Sequence, residues 1–199
     1  MTLMVSHFTA ADYRETPWKN GGGSTTELAI HPAGFSVEQP FVWYLSLVKR
    51  TSSGPFAKFP GYDRNIVQLS GKTMTLMHAK HGEHKLSPLV PYAFKGEWET
   101  HRRLIGSAED FNLMVRSERL TSTLERVDLK DRKPLSKRLS RTTLIWVYQG
   151  TIEWECGGEK KILKERETLA VDSSEKTEYI LKSKRAIIFL ASIEETAKP

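Results

Sequence analysis

Ile66-Val-Gln-Leu-Ser-Gly71-Lys-Thr-Met-Thr-Leu76, continued by Gly82-Glu-His-Lys-Leu86 and Leu89-Val-Pro-Tyr-Ala-Phe94, has a counterpart later in the chain. There the sequence runs Ile145-Trp-Val-Tyr-Gln-Gly150-Thr-Ile-Glu-Trp154, then Gly158-Glu-Lys-Lys-Ile162, then Glu167-Thr-Leu-Ala-Val171. Each copy reads as strand, glycine turn, strand, Gly-Glu turn, strand, strand. β-Branched and aromatic residues suit a pleated, half-buried surface, and glycine supplies the backbone freedom that tight hairpins need. The copies are offset by 79 residues at the first glycine and 76 at the Gly-Glu pair, a difference that hairpin length absorbs. Outward from this repeat, strands are predicted at 41–48, 65–69, 73–77, 110–115 and 143–148. Glycine and proline punctuate them at short intervals, and no stretch of ten or more residues carries an amphipathic helical stripe.

The expected fold class is therefore all-β, with two cupin-like jelly-roll barrels in tandem, a bicupin. Residues 1–130 would form the N-terminal barrel and residues 131–199 the C-terminal one, with strands open to exchange between them. The linker is expected near Lys130 to Ser140, where Pro134 and its charged neighbours are poor strand material.

Bulk composition narrows the function classes. Of 199 residues, 39% are hydrophobic and 27% charged, the balance of a globular chain with enough length to bury a core. The net charge of +6 is concentrated between Arg116 and Arg141, where nine basic residues face four acidic ones. That segment has no aromatic residue for base stacking, so a solvated strand and linker is expected and no nucleic-acid partner. No apolar run approaches the ~20 residues needed to cross a bilayer, and the opening Met-Thr-Leu-Met-Val-Ser-His lacks an export signal's basic and apolar regions. No membrane association is expected. Cys156 is the single cysteine, which excludes an internal disulfide and suits a reducing compartment, so a cytoplasmic location is expected.

Three segments could carry chemistry. In Pro17-Trp-Lys-Asn-Gly-Gly-Gly-Ser-Thr-Thr-Glu27 the glycine run allows main-chain N–H groups to converge on an anion, with Lys19 adding charge. The alternative is a tight turn entering a strand at Glu27, with Trp18 in the core. Gly54-Pro-Phe-Ala-Lys-Phe-Pro-Gly-Tyr-Asp-Arg64 delivers Asp63 and Arg64 to a strand start. There the guanidinium could fork onto a carboxylate with Asp63 orienting it, or the pair could be a salt bridge. His78, His81 and His84 lack the His-x-His, Glu and distant His of a cupin metal site, so they are read as decorating a turn. No metal and no cofactor are expected. Cys156 is read as a packed small hydrophobe.

Trp18-Lys-Asn-Gly-Gly-Gly-Ser-Thr-Thr-Glu27, Phe41-Val-Trp-Tyr-Leu-Ser-Leu-Val48, the Gly54 to Arg64 segment, Pro91-Tyr-Ala-Phe-Lys-Gly96 and Asp110-Phe-Asn-Leu-Met114 together resemble the HutD/Ves family. The resemblance covers roughly residues 8–117 with sharp motifs. It implies a bicupin fold, a bacterial cytoplasmic setting and, for the HutD branch, an association with histidine utilisation. This chain departs from the family strand in placing Tyr44, not arginine, after Trp43. The combined expectation is a small-molecule binding protein, regulatory in histidine utilisation or a related metabolic or stress pathway. Its ligand would be a carboxylate-bearing metabolite, with urocanate or a formylated glutamate as the candidate class. The candidate binding residues are Lys19, Asn20, Gly21, Gly22, Thr25, Glu27, Asp63, Arg64 and Asn112, with Arg64 and Lys19 serving one pocket and a homodimer as a possible assembly. The rival readings are a metal-independent isomerase or hydrolase using Glu27 or Asp63 as general base, and a structural or interaction module.

Overall fold

The computed structural model describes residues 3–196, none of them helical. In chain order the strands are β1 (Leu3–Phe8), β2 (Arg14–Pro17), β3 (Gly23–His31), β4 (Trp43–Arg50), β5 (Gly54–Pro55), β6 (Tyr62–Gly71), β7 (Met74–His78), β8 (Gly82–Lys85), β9 (Tyr92–Lys95), β10 (Thr100–Leu104) and β11 (Ala108–Arg116). There follow β12 (Leu120–Lys130), β13 (Leu135–Arg138), β14 (Thr142–Gly150), β15 (Ile152–Cys156), β16 (Glu159–Leu163), β17 (Thr168–Ser173), β18 (Glu178–Lys182) and β19 (Arg185–Glu195). All five expected strands are present: 65–69, 110–115 and 143–148 extend to β6, β11 and β14, whereas 41–48 and 73–77 keep their lengths and shift by two residues and one residue to β4 and β7.

The chain forms two compact units, an internal one from Tyr13 to Arg119 and a terminal one that combines the chain up to Asp12 with everything from Leu120 onward. This division differs from the one expected at residue 130. β12 pairs along its whole length with β19, and β1 pairs with β17, so both belong to the terminal unit. The expected linker at 130–140 is largely a turn followed by β13, which pairs with β18. Charge misled the reading: β12 carries Arg126, Asp128 and Lys130 on an exposed face while Val127 and Leu129, on the other face, are buried.

Each unit contains one larger and one four-stranded antiparallel sheet. The internal unit orders its strands β2-β3-β4-β11-β6-β9 and β5-β10-β7-β8; the terminal unit orders them β1-β17-β14-β19-β12 and β13-β18-β15-β16. Read from β9 and from β17, four strands of the larger sheets correspond in order, β9-β6-β11-β4 and β17-β14-β19-β12, as do the four-stranded sheets; β2 and β3 extend the internal sheet at one edge and β1 the terminal sheet at the other. The two first glycines of the repeat do the same work. Gly71 and Gly150 have φ of 95° and 89°, and a Cβ on either would lie 2.1 Å from Ser107 O or 2.4 Å from Arg185 O. Only glycine allows this left-handed turn and this close approach of neighbouring backbone. A bulge lies two residues before the glycine in both copies, at Leu69 between β6 and β11 and at Tyr148 between β14 and β19.

The terminal unit has an apolar core in which Ile145, Val147, Trp154, Leu163, Leu181, Ile188 and Leu190 are fully or almost fully buried. Cys156 lies in it at 2% exposure, the packed hydrophobe expected. In the internal unit Leu45, Val67, Phe111 and Leu113 are buried, and beside them lie two smaller clusters. One gathers Phe56, Ile66, Met74, Leu76, Leu86 and Phe94; the other gathers Ile30, Phe41, Tyr44 and Met114.

Candidate functional site

A cavity of about 700 Å³ opens in the internal unit, on one face of its six-stranded sheet. The alternation of strand side chains determines which residues reach it. Thr25 and Glu27 come from β3, Tyr44, Ser46, Val48 and Arg50 from β4, Asn112 and Met114 from β11, and Arg64 from β6. Arg102 of β10 enters from the four-stranded sheet, and the segment after β4 supplies Phe56 and Phe59.

At one end of the cavity lies a group of buried charges. Among the described residues the buried arginines are Arg50, Arg64 and Arg102 and the one buried carboxylate is Asp110, and all four meet here. Asp110 is wholly buried and accepts from Arg50 Nε at 2.6 Å, Arg50 Nη2 at 3.1 Å and Asn112 Nδ2 at 2.5 Å. Arg102 donates from Nε to Ser52 O at 2.9 Å and from Nη1 to Pro55 O at 3.1 Å. Arg64 donates from Nη1 to Ala57 O at 3.1 Å, and its Nε has no partner. Aromatic faces support the three guanidiniums. Phe56 lies 4.4 Å from Arg50, 5.0 Å from Arg64 and 5.9 Å from Arg102, and Trp18 lies 5.3 and 5.4 Å from Arg50 and Arg102.

Burial, and secondarily the charge of Arg50, pulls the Arg64 and Arg102 guanidiniums down to about 10, with Asp110 opposing. Both remain cationic at neutral pH, so three positive charges share one negative one. Elsewhere in the cavity Glu27 is raised by burial, against the pull of Arg14, and burial together with Glu27 raises the Tyr44 phenol.

Of the residues expected at a ligand site, Asn20, Thr25, Glu27, Arg64 and Asn112 line this cavity. Lys19, Gly21, Gly22 and Asp63 do not. Lys19 is exposed in a turn closed by Gly21 N to Trp18 O at 3.0 Å and Trp18 N to Gly23 O at 2.9 Å. The Gly22 amide donates to Asn20 Oδ1 at 3.0 Å and its carbonyl accepts from Thr51 N, so the glycine run is spent on the turn and does not cradle an anion. The pairing of Lys19 with Arg64 in one pocket is thereby corrected. Asp63, adjacent to Arg64 on β6, points to the opposite face and binds Lys95 at 2.5 Å; it does not orient the arginine. Trp18 is not core: it is half-buried in the cavity wall, with Nε1 donating to Thr25 Oγ1 at 2.9 Å.

His78 does not decorate a turn. It is buried at the end of β7, with Nδ1 2.8 Å from Thr100 Oγ1 and Nε2 3.1 Å from Tyr92 Oη, and burial followed by the charges of His81 and His84 lowers its pKa. His81 stacks on Trp98 and His84 on Tyr92. Among the described residues no three His, Cys, Asp or Glu side chains are grouped so as to hold a metal ion.

Arg50, Arg102 and the role of Asp110 escaped the motif reading. Aligning the repeat residue by residue would have found two of these positions' partners, because Asp110 and Asn112 stand where the second copy has Ile188 and Leu190.

Comparison with known proteins places this geometry. A family model described as HutD matches residues 10–189. An uncharacterised 21.2 kDa protein in the hutC 3′ region of Pseudomonas putida is 34% identical over 75% of this chain and 76% of its own length. Protein Ves of Escherichia fergusonii is 31% identical over 73% and 74%. Among solved structures, HutD from Pseudomonas fluorescens SBW25, in a formate condition, superposes with a TM-score of 0.77 at 31% identity, covering 98% of this chain and all of that one. The fold extends to far more distant proteins at 10% identity. A bacterial pirin from Escherichia coli has a TM-score of 0.70 over 96% of this chain and 100% of its own, and a cupin 2 conserved barrel domain protein from Leptotrichia buccalis 0.54 over 78% and 85%. The fold is thus all-β and cupin-like, and the chain belongs to the HutD family.

Proposed function

We propose that the internal unit binds a small carboxylate-bearing metabolite, and that the two units are cupin-like barrels in tandem of which one is the binding barrel. The observation that carries the reading is the imbalance at Asp110: Arg50, Arg64 and Arg102, all buried, share a single carboxylate. Buried charge is costly unless paired, and a ligand anion supplies the missing partner in a site already desolvated and braced by aromatic rings. A cavity of this size with apolar walls and a few convergent polar groups has the character of a small-molecule site. The association with histidine utilisation that the resemblance to the HutD branch implies supports a regulatory role there, with urocanate or a formylated glutamate as ligand; a relative from a hutC region and a structural neighbour named HutD are in keeping with that reading.

The reading is tested by calorimetry and thermal shift with a panel of such acids. A ligand held by the folded state raises the melting temperature. Arg64→Ala is expected to weaken binding roughly ten- to a hundredfold, since a hydrogen bond to a charged group is worth about 1.5–3 kcal/mol. Arg64→Lys is expected to recover only part, because an ammonium does not reproduce the guanidinium's planar contacts. If Arg64→Ala lowers the melting temperature of the free protein but leaves affinity unchanged, the arginine is structural and the reading is wrong.

A second reading, a metal-independent isomerase or hydrolase, draws on Glu27 alone, because its raised pKa in the cavity suits a general base. Product formation from a bound acid, lost in Glu27→Gln, selects it.

A further inference from the structure

We propose that the cavity takes a bipolar acid, one that carries a cationic nitrogen or an N–H donor several bonds away from its carboxylate, because Glu27 lines the same cavity as Arg50, Arg64 and Arg102 and has no hydrogen bond or ion pair with any described residue. This rests on the carboxylate reading above and concerns the second end of that ligand.

The arginine end is open to a ligand. Arg50 binds Asp110 through Nε and Nη2, Arg102 binds backbone carbonyls through Nε and Nη1, and Arg64 binds Ala57 O through Nη1. The remaining terminal nitrogens, Arg50 Nη1, Arg64 Nη2 and Arg102 Nη2, have no partner among the described residues, and unlike Arg64 Nε none of them is closed off from solvent. All three guanidiniums lie within 5.9 Å of the Phe56 ring, which gathers them at one end of the cavity.

Glu27 stands apart from that group. It is opposite Ser46 on β4, which is opposite Asn112 on β11, so two inter-strand spacings, about 10 Å, separate the Glu27 and Asn112 backbones. Asp110, which anchors Arg50, lies two residues from Asn112 on the far side from Glu27. The charges acting on Arg64 and Arg102 are those of Arg50 and Asp110, whereas the charge acting on Glu27 is that of Arg14, so the two ends do not answer one another. Arg14, opposite Glu27 on β2, is exposed and forms no ion pair with it. The Glu27 side chain is half-buried, and neither carboxylate oxygen is closed off from solvent. Burial disfavours its charged form, and a ligand nitrogen that donates to it supplies the compensation that the protein does not. A nitrogen next to the ligand's carboxylate stays with the arginines; one several bonds away reaches Glu27. A second carboxylate at that end would meet Glu27 with like charge, so urocanate, whose ring carries N–H away from its carboxylate, is favoured over a formylated glutamate.

The test titrates the full chain at neutral pH with matched acids, by calorimetry or NMR. One set is δ-aminovalerate, its isomer norvaline and plain valerate; the other is urocanate and furylacrylate, in which a ring oxygen replaces the N–H. Wild-type protein is expected to hold δ-aminovalerate and urocanate about tenfold more tightly than valerate and furylacrylate, which corresponds to about 1.4 kcal/mol, and norvaline no more tightly than valerate. Glu27→Met, which keeps the length of the side chain and removes both acceptors, is expected to abolish these preferences and to hold valerate at least as tightly as wild type. Equal binding within the matched pairs by wild-type protein overturns the bipolar selection and leaves the carboxylate reading standing. Binding of none of the acids overturns both. A gain for norvaline equal to that of δ-aminovalerate overturns the separation of the two ends. A preference that survives in Glu27→Met overturns the role of Glu27, and if that variant does not fold, the wild-type series decides the selection.

Discussion

The internal and terminal units share the strand plan of the repeat, down to the glycine turn and the bulge that precedes it, yet their interiors are opposite in character. Because Gly71 pairs with Ala108 and Gly150 with Ala186, the two interiors can be matched position by position. Arg50 corresponds to Leu129, Arg64 to Thr143, Asp110 to Ile188 and Asn112 to Leu190; Arg102, opposite Leu76, corresponds to Leu181, opposite Trp154. Where the terminal unit has four aliphatic side chains and one hydroxyl, the internal unit has three cations, an anion and an amide. The terminal unit fills its interior with Trp154, Leu163, Ile188 and Leu190, whereas the internal unit opens a cavity between apolar and charged side chains. One scaffold thus supports a packed copy and a polar copy. The packed copy stabilises by burying apolar area, each large aliphatic contributing about 1.5–3 kcal/mol. The polar copy forgoes part of that stabilisation at the five matched positions.

Exchanging residues between the copies is the direct way to break this contrast. The largest effect is expected from Asp110→Ile, which gives the internal unit the residue of the terminal one. It leaves three buried guanidiniums without their counter-charge, and removing one partner of a buried pair costs about 3–5 kcal/mol. Urea denaturation followed at equilibrium checks this, and added carboxylate ligand should return part of the loss by replacing the missing anion. A variant as stable as wild type would show that Asp110 does not hold the cluster.

The reverse exchange, Leu190→Asn, is expected to cost about 2–4 kcal/mol, combining lost apolar burial with an unsatisfied amide in a core of apolar neighbours. Its counterpart Asn112→Leu should cost less, about 1–2 kcal/mol, because Asp110 keeps both bonds from Arg50. Equal costs in the two directions would mean that the interiors are less different than their side chains indicate.

The smallest effect sharpens the electrostatics of the cavity. Burial raises Glu27, so its folded form binds a proton more tightly than its unfolded form. Stability from this residue is therefore fully present below the unfolded carboxyl value and is lost as pH rises through the folded one. Glu27→Gln removes the loss: it is expected to stabilise the free protein at neutral pH by less than about 1 kcal/mol and to change nothing under acidic conditions below the unfolded carboxyl range. Thermal unfolding of both proteins across pH checks the sign, and destabilisation at neutral pH would contradict it.

Much of the fold was legible in the residues themselves. The repeat around Gly71 and Gly150 announced duplicated strand-turn-strand units, because only glycine accepts the turn and the close backbone approach. The division of the chain was less legible. β1 and β12 join the terminal unit through pairing with β17 and β19, partners distant in sequence, and no local pattern records that choice. At the site, Glu27, Arg64 and Asn112 were found by motif, and Arg50 and Arg102 were not. The alternation Tyr44, Ser46, Val48, Arg50 along β4 contained the signal, but alternation says that residues share a face without saying which face encloses a cavity.

The sequence by itself determined the all-β class, the duplication, the strands and their turns, and the family, since these follow from local propensity, from glycine's backbone freedom and from motifs contiguous in the chain. Tertiary structure decided that Lys19 and Asp63 stay outside the cavity while Arg50, Arg102 and Asp110 meet within it. The physical reason is that a charge becomes a binding element only when burial strips it of water and strands distant in sequence set it against its partners, and both conditions belong to the folded sheet and not to any stretch of the chain.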